Sequence, residues 1–443
     1  MANRYCVYIL LSWLVIFGTA AGAASIVMTM LCRDEDVNLK TNIPNWLRVV
    51  DYFVFVVDSR TRDNSVSTIE NMLGKVGKKY KVVNNDFSGF GPARTLSLDA
   101  AWTHFPQATH VLIADPDWQF DLKTINKNEL DLSHDVFRFT IYDAQRSGKF
   151  HTRQMDWMLR NKPGLSMKYH LHEVLSIGDY IPKMIAWEVR EVAKTGTWHE
   201  TVGHGESDSA NRYKSDLALL YKDLEMYHHD PHTHYYLGST HENYAEKAQH
   251  TLGLNNEEVQ DHIERAIKYY ELRARSAYDD ELLEQRWAAL IGLGNIYTLL
   301  KVKYLYYVGL ILSTLHRHVF TQRDELKAIY WLNTCHDYQP KYIECPMLLC
   351  QLYISIGQLA PALAAMDIML RTEEPPVRVS SYLGLWECDA PLVVLDTMLK
   401  KIQMYGASAE EGMYFLLLVR ASCTFCFCFP DMWLTSTVKL TLP

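Results

Sequence analysis

The chain has no long run of Lys and Arg, and its formal net charge is −8. Both features argue against a nucleic-acid groove, which depends on clustered cations. It has no Asn-x-Ser/Thr sequon, so no glycosylation site marks a secreted surface. Cysteine is missing where a disulfide framework would need it, since none falls between Cys32 and Cys335. Cys423, Cys426 and Cys428 lie close together, but no second Cys or His pair completes a zinc set, and an apolar tail is the plainer reading. What is present is an ordinary folded composition, 48% hydrophobic and 22% charged over 443 residues, enough for two or three domains.

Charge is also absent from Tyr5 to Leu31, with Arg4 ahead of the run and Ala21-Gly22-Ala23 resembling a cleavage site. The layout predicts a signal peptide or signal anchor over residues 1–24, and hence the secretory pathway or a membrane-associated protein. If the segment is instead part of the fold, the chain is cytoplasmic.

From Ser25 the chain alternates between two periods. Ser25–Leu31 and Asp51–Asp58 are nearly continuous apolar runs, the pattern of strands buried on both faces of a parallel sheet. Helical stretches are expected up to Trp46, over Val66–Val76, and over Ala93–His104 with Pro92 as its first residue. Lys81–Val83 and His110–Ala114 read as further strands, and Asp135–Ile141 alternates like a half-buried one. The expected class is α/β with a mostly parallel sheet.

His110–Ala114 ends in Asp115-Pro116-Asp117-Trp118. Alternate residues of an extended segment share a side, so Asp115 and Asp117 can converge, and Pro116 stiffens the link. Ligands of open α/β sheets bind beyond the carboxyl ends of strands. Two carboxylates there suit Mn²⁺ or Mg²⁺. A solvated turn is the plain alternative.

The order of these pieces resembles the family-2 nucleotide-sugar glycosyltransferases of GT-A fold, in the subgroup with tetratricopeptide-like helices after the catalytic domain. The resemblance runs through Arg33-Asp34-Glu35-Asp36, Asp58 with its Ser/Thr-containing turn, Asp86-Phe87, Ala93-Arg94 and Asp115-Pro116-Asp117. Thr95 and Trp118 depart from the family pattern. The resemblance implies an inverting, metal-dependent transfer from a nucleotide diphosphate sugar to an unknown glycan, protein or lipid acceptor. It implies a divalent cation on Asp115 and Asp117, with His199 near it. It implies donor contacts from Asp34, Glu35, Asp58, Asp86 and Arg94, and Glu173 as general base beside His172, with Glu200 as the other candidate. The expected domains are 25–205 for this GT-A unit, 206–418 for a helical array and 419–443 for an apolar tail.

Helical period dominates from Asn211. Leu293-Gly294-Asn295-Ile296-Tyr297 and Gly357 to Leu363 match parts of a tetratricopeptide repeat, and Pro340 stands where a repeat would end. Such arrays bind protein partners or brace a neighbour. His228, His229, His232 and His234 flank Asp230-Pro231 and read as a solvated turn between helices. Val302–Gln322 and Val419–Pro443 break the period, as translated intron sequence or as an insert and a tail. Two other functions fit the same residues: a nucleotidyltransferase, and a non-catalytic helical-repeat scaffold.

Overall fold

A computed structural model describes residues 24–144, 150–191, 206–251, 256–276, 283–308 and 317–372. The leader at 1–23, His199, Glu200, the core of the 302–322 insert and the 419–443 tail lie outside the described residues. The chain forms two compact units, 1–205 and 206–443.

The first unit is built on an eight-stranded sheet. Its elements are β1 (Ile26–Cys32), α1 (Asp36–Trp46), β2 (Tyr52–Asp58), α2 (Ser65–Lys75), β3 (Lys79–Asn85), α3 (Phe90–His104), β4 (His110–Ala114), β5 (Trp118–Phe120), β6 (Val136–Ala144), β7 (Phe150–Arg160), β8 (Met167–Lys168), β9 (Val174–Leu175) and β10 (Lys183–Glu191). The sheet order is β3-β2-β1-β4-β7-β6-β10-β5. The apolar runs of β1, β2 and β4 are buried on both faces. Met28, Met30, Phe53, Phe55 and Leu112 pack on one side with Leu39, Ile43 and Trp46 of α1. Val27, Val54, Val111 and Ile113 pack on the other with Leu98 and Ala101 of α3. Alternation along a strand makes this division.

The expectation of a GT-A, mostly parallel sheet is corrected. Only β3, β2, β1 and β4 form a parallel block; β6 also runs parallel to β10. The ladders β4–β7, β6–β7 and β5–β10 are antiparallel, so the sheet is mixed. The cause is local. Up to β4 each strand is followed by a helix long enough to cross back over the sheet. β6 ends at Ala144 and β7 starts at Phe150, and so short a separation in sequence joins only antiparallel neighbours. α3 starts at Phe90, so Pro92 lies inside its first turn and not at its first position.

The second unit is a run of helices: α4 (Glu206–Met226), α5 (Pro231–Thr251), α6 (Asn256–Arg275), α7 (Leu283–Val308), α8 (Arg317–Tyr338), α9 (Glu344–Ser355) and α10 (Leu359–Arg371). Each packs on the next, and α7 also touches α5 and α9, as stacked hairpins do. Asp230 caps α5 by accepting the Thr233 amide at 3.0 Å, with Pro231 at the first helical position. His232 and His234 are buried, not solvated, because α5 turns that face into the array. Cys335 of α8 is disulfide-bonded to Cys345 of α9.

Tyr270 of α6 locks three helices together. A Cβ on Gly238 of α5 would stand 2.6 Å from its ring, and one on Gly292 of α7 would also stand 2.6 Å from it. The two glycines form the slot that the ring fills. The Tyr270 hydroxyl donates to Glu242 at 2.7 Å.

Burial pushes the Glu242 carboxyl up to about 7, against the opposing pull of that hydrogen bond. The folded array therefore holds a proton that an unfolded chain, with an ordinary Glu near ~4.3, has released. Stability from this group is full below that value and is lost as pH rises towards about 7. Glu242→Gln should stabilise the array by about 1–3 kcal/mol at pH 8 and change little at pH 4. Thermal unfolding at the two pH values checks this; equal effects at both would sink it.

Candidate functional site

The candidate site lies where the strands of the parallel block end. Arg94, in the second turn of α3, is buried there with its side chain 4% exposed. Its Nε donates to Glu173 Oε1 at 2.7 Å, and its Nη2 donates to Asp115 Oδ1 at 2.6 Å. The guanidinium also lies over the Trp157 ring, 4.5 Å from its centroid. Burial opposes the charge on Arg94, but Asp115 and Glu173 outweigh it and hold the pKa above its ordinary value. Glu173 is nearly covered, whereas Asp115 is about one-third exposed, at 34%. Asp115 is thus the member of the triad that meets solvent.

Two backbone features place Glu173. The Phe90 amide donates to the His170 carbonyl at 2.7 Å. A Cβ on Gly91 would stand 2.0 Å from the Tyr169 carbonyl oxygen, so only glycine lets the 169–173 loop sit on the start of α3. Tyr169 and His172 adopt positive φ of 71° and 54°, which turns the loop sharply. Asp34 also has a positive φ, 53°.

The Asp115–Asp117 turn is held from α1. Asn42 donates to the Pro116 carbonyl at 2.7 Å, and Trp46 Nε1 donates to the Trp118 carbonyl at 2.8 Å. Trp118, which departs from the family pattern, is a buried core residue stacked on Trp157.

The remaining expected donor contacts form local pairs. Asp58 is held by Arg60 through Nε at 2.9 Å and Nη2 at 2.6 Å. Arg60 keeps its carboxyl below the usual range. Asp86 accepts from Ser59 Oγ at 2.6 Å. Asp34 accepts the Arg62 amide at 2.7 Å, and Glu35 accepts from Asn38 at 2.6 Å. Burial pushes the Cys32 thiol up, with Glu35, Asp115 and Asp63 adding to it, so these acids gather around the end of β1. Sequence reasoning gathered Asp115, Arg94 and Glu173 in one site but missed that they bind one another. It also missed Trp157, Asn42 and Trp46, which carry no motif signal.

Among the described residues no three His, Cys, Asp or Glu side chains come together to hold a metal ion. This corrects the metal-binding reading of the Asp-x-Asp motif. Asp115 is engaged by Arg94, and a carboxylate neutralised by a guanidinium no longer offers a cation its full charge. Nor is any described helix long and apolar enough to cross a membrane; the expected leader at 1–23 lies outside the described residues.

No family model matches the chain. No curated protein matches it either. Solved structures similar to it include a thermophilic TPR protein of Thermus thermophilus, at 18% identity and TM-score 0.25, covering 48% of this chain and 93% of that one. They also include yeast Tom70, at 14% identity and TM-score 0.19, covering 49% of each chain. The assignment to family-2 glycosyltransferases is corrected: no family model carries it, and the sheet is mixed, with β7 antiparallel to both β4 and β6. The nucleotide-sugar donor and the transfer mechanism built on that assignment fall with it. The helical-hairpin array stands on its own helices.

Proposed function

We propose that the helical array is a scaffold that binds a protein partner. The observation that carries this reading is on α8. Leu326 and Tyr330, one turn apart on the same helical face, are 67% and 60% exposed. Large apolar side chains paired in this way serve as anchors for a partner, and tyrosine is enriched among such anchors. The neighbouring Trp331 and Leu332 are buried, so the helix presenting the pair is fixed in the array. The test is a photo-crosslinking amino acid at Asn333, exposed on the same helix, in the full chain. A discrete crosslinked partner is expected. Leu326→Ala with Tyr330→Ala should reduce it at least tenfold, because losing two anchors costs about 2 kcal/mol or more. Capture unchanged in the double variant would end this reading.

A second reading concerns the sheet unit alone and rests on Arg94. Burying a guanidinium between two carboxylates is costly unless all three are well satisfied, and the ends of parallel strands are where open sheets bind ligands. On this reading the unit is an enzyme that binds a small polar substrate at the exposed side of Asp115. Thermal stabilisation by hydroxyl-rich or cationic small molecules, which a carboxylate can bind, lost in Asp115→Asn, would support it. No stabilisation across such a panel would count against it.

A further inference from the structure

We propose that His241 and His262 of the helical array share a single proton position, so that acid drives α5 and α6 apart. His241 lies on α5 and is almost wholly buried; His262 lies on α6 and is half-buried. Their Nδ1 atoms face each other at 2.8 Å. Only one proton fits in that gap. Either Nδ1 can donate across it, but not both.

The groups around the pair come from three helices. From α4, the Tyr221 hydroxyl lies 2.9 Å from His241 Nε2. From α6, Arg265 donates to the Tyr221 oxygen at 3.3 Å, and Asp261 pairs with Arg265 at 2.9 Å. Tyr269 of α6 stacks on His241 and is hydrogen-bonded to Tyr221, and Glu258 of α6 acts on His262. On α5 itself, Tyr244 stands edge-on to His262. α7 also packs on α5, where Gln285 meets His232 at the N-terminal end of that helix.

Count the protons. The pair offers three places: the gap, His241 Nε2 and His262 Nε2. Two neutral imidazoles fill two of them and one cation fills the third. A second cation would put two protons in the gap. The packed array therefore takes up at most one proton, whereas two separated histidines take up two. Burial of His241 and the neighbouring Arg265 work in the same direction, and hold the His241 pKa down to about 3. His262 is also depressed, chiefly by burial.

The sign follows. A free histidine titrates near ~6.5, so the separated state gains its extra proton as pH falls through that value, and the packed state does not. One excluded proton shifts the packed-to-open balance about thirtyfold between pH 7.5 and 5.0. Glu242 opposes this, since its own contribution grows as pH falls. It is the same in wild type and in a His262 variant, so their ratio cancels it.

The experiment is amide hydrogen exchange across α5 and α6 in the full chain, for wild type and His262→Asn. Asparagine offers His241 a hydrogen-bond partner and does not titrate, so the shared gap no longer blocks His241, and only burial and Arg265 still oppose its protonation. The protection of wild type relative to the variant should fall from pH 7.5 to 5.0, by about thirtyfold at most, because burial of His241 is common to both proteins. A fall of threefold or more supports the shared position; a smaller change overturns it. If the variant does not fold, labelled imidazoles in the wild type decide the matter. At most one of the two histidines should protonate above pH 5, and protonation of both would overturn the proposal.

Discussion

Arg94→Met should destabilise the sheet unit by about 3–5 kcal/mol, the range for breaking a buried ion pair from one side. The loss is not that of one contact. Glu173 and Asp115 would be left facing each other without the guanidinium that separates them, and Glu173 is nearly covered. Methionine keeps the apolar stem but removes the guanidinium that lies over Trp157, a contact of about 1 kcal/mol that adds to the loss. The triple variant with Glu173→Gln and Asp115→Asn should recover most of the loss, because neutral amides tolerate one another in that space. Exchange protection of β4 and α3 amides in the full chain reads the effect on this unit alone. A single variant within 1 kcal/mol of wild type would mean that water already satisfies the two carboxylates, against the burial described.

Tyr270→Ala should cost the helical array about 3–5 kcal/mol. The ring fills a slot between Gly238 and Gly292, and neither glycine has a side chain that could close the gap. The cavity should therefore persist, which places the loss at the upper end for its size. Tyr270→Phe separates packing from polarity. It keeps the ring and removes the hydroxyl that donates to Glu242 and also meets Ser239, and should cost about 1–2 kcal/mol. Urea unfolding of the array, followed by exchange in α5, α6 and α7, measures both. Equal losses for the two variants would show that the hydrogen bond, and not the wedge, joins the helices.

Much of the architecture is legible in the sequence, element by element. The apolar runs Ile26–Cys32, Tyr52–Asp58 and His110–Ala114 are strands because a segment buried on both faces cannot be polar on either. Ser65–Lys75 and α3 follow from helical spacing. The sheet as a whole is not legible in the same way. Phe150–Arg160 mixes Arg, Gln and Asp with apolar residues and has no clean period, yet it is the strand that inserts beside β4 in the opposite direction. A class inferred from the alternating first half missed that reversal.

The site shows the same division. Asp115, Arg94 and Glu173 are visible as charged residues near the ends of buried elements. Their mutual pairing is not, because it depends on Gly91 letting the 169–173 loop onto the start of α3. The family resemblance was assembled from short charged motifs, and such motifs state composition at a strand end without stating who pairs with whom. His232 and His234 were misjudged for a related reason. A histidine-rich stretch next to Asp-Pro looks wet, but once Asp230 caps the helix the following residues belong to its packed face.

The clasp on the Asp115–Asp117 turn has a consequence for how this segment tolerates change. Asn42 and Trp46 grip the turn through the carbonyls of Pro116 and Trp118, and every amino acid supplies a carbonyl. The path of the turn is thus written in α1, not in the residues that ride on it. A change of side chain at 115 or 117 leaves this grip on the backbone intact, and what limits position 115 is the buried charge of Arg94 that its carboxylate answers. Positions 42 and 46 have no such freedom.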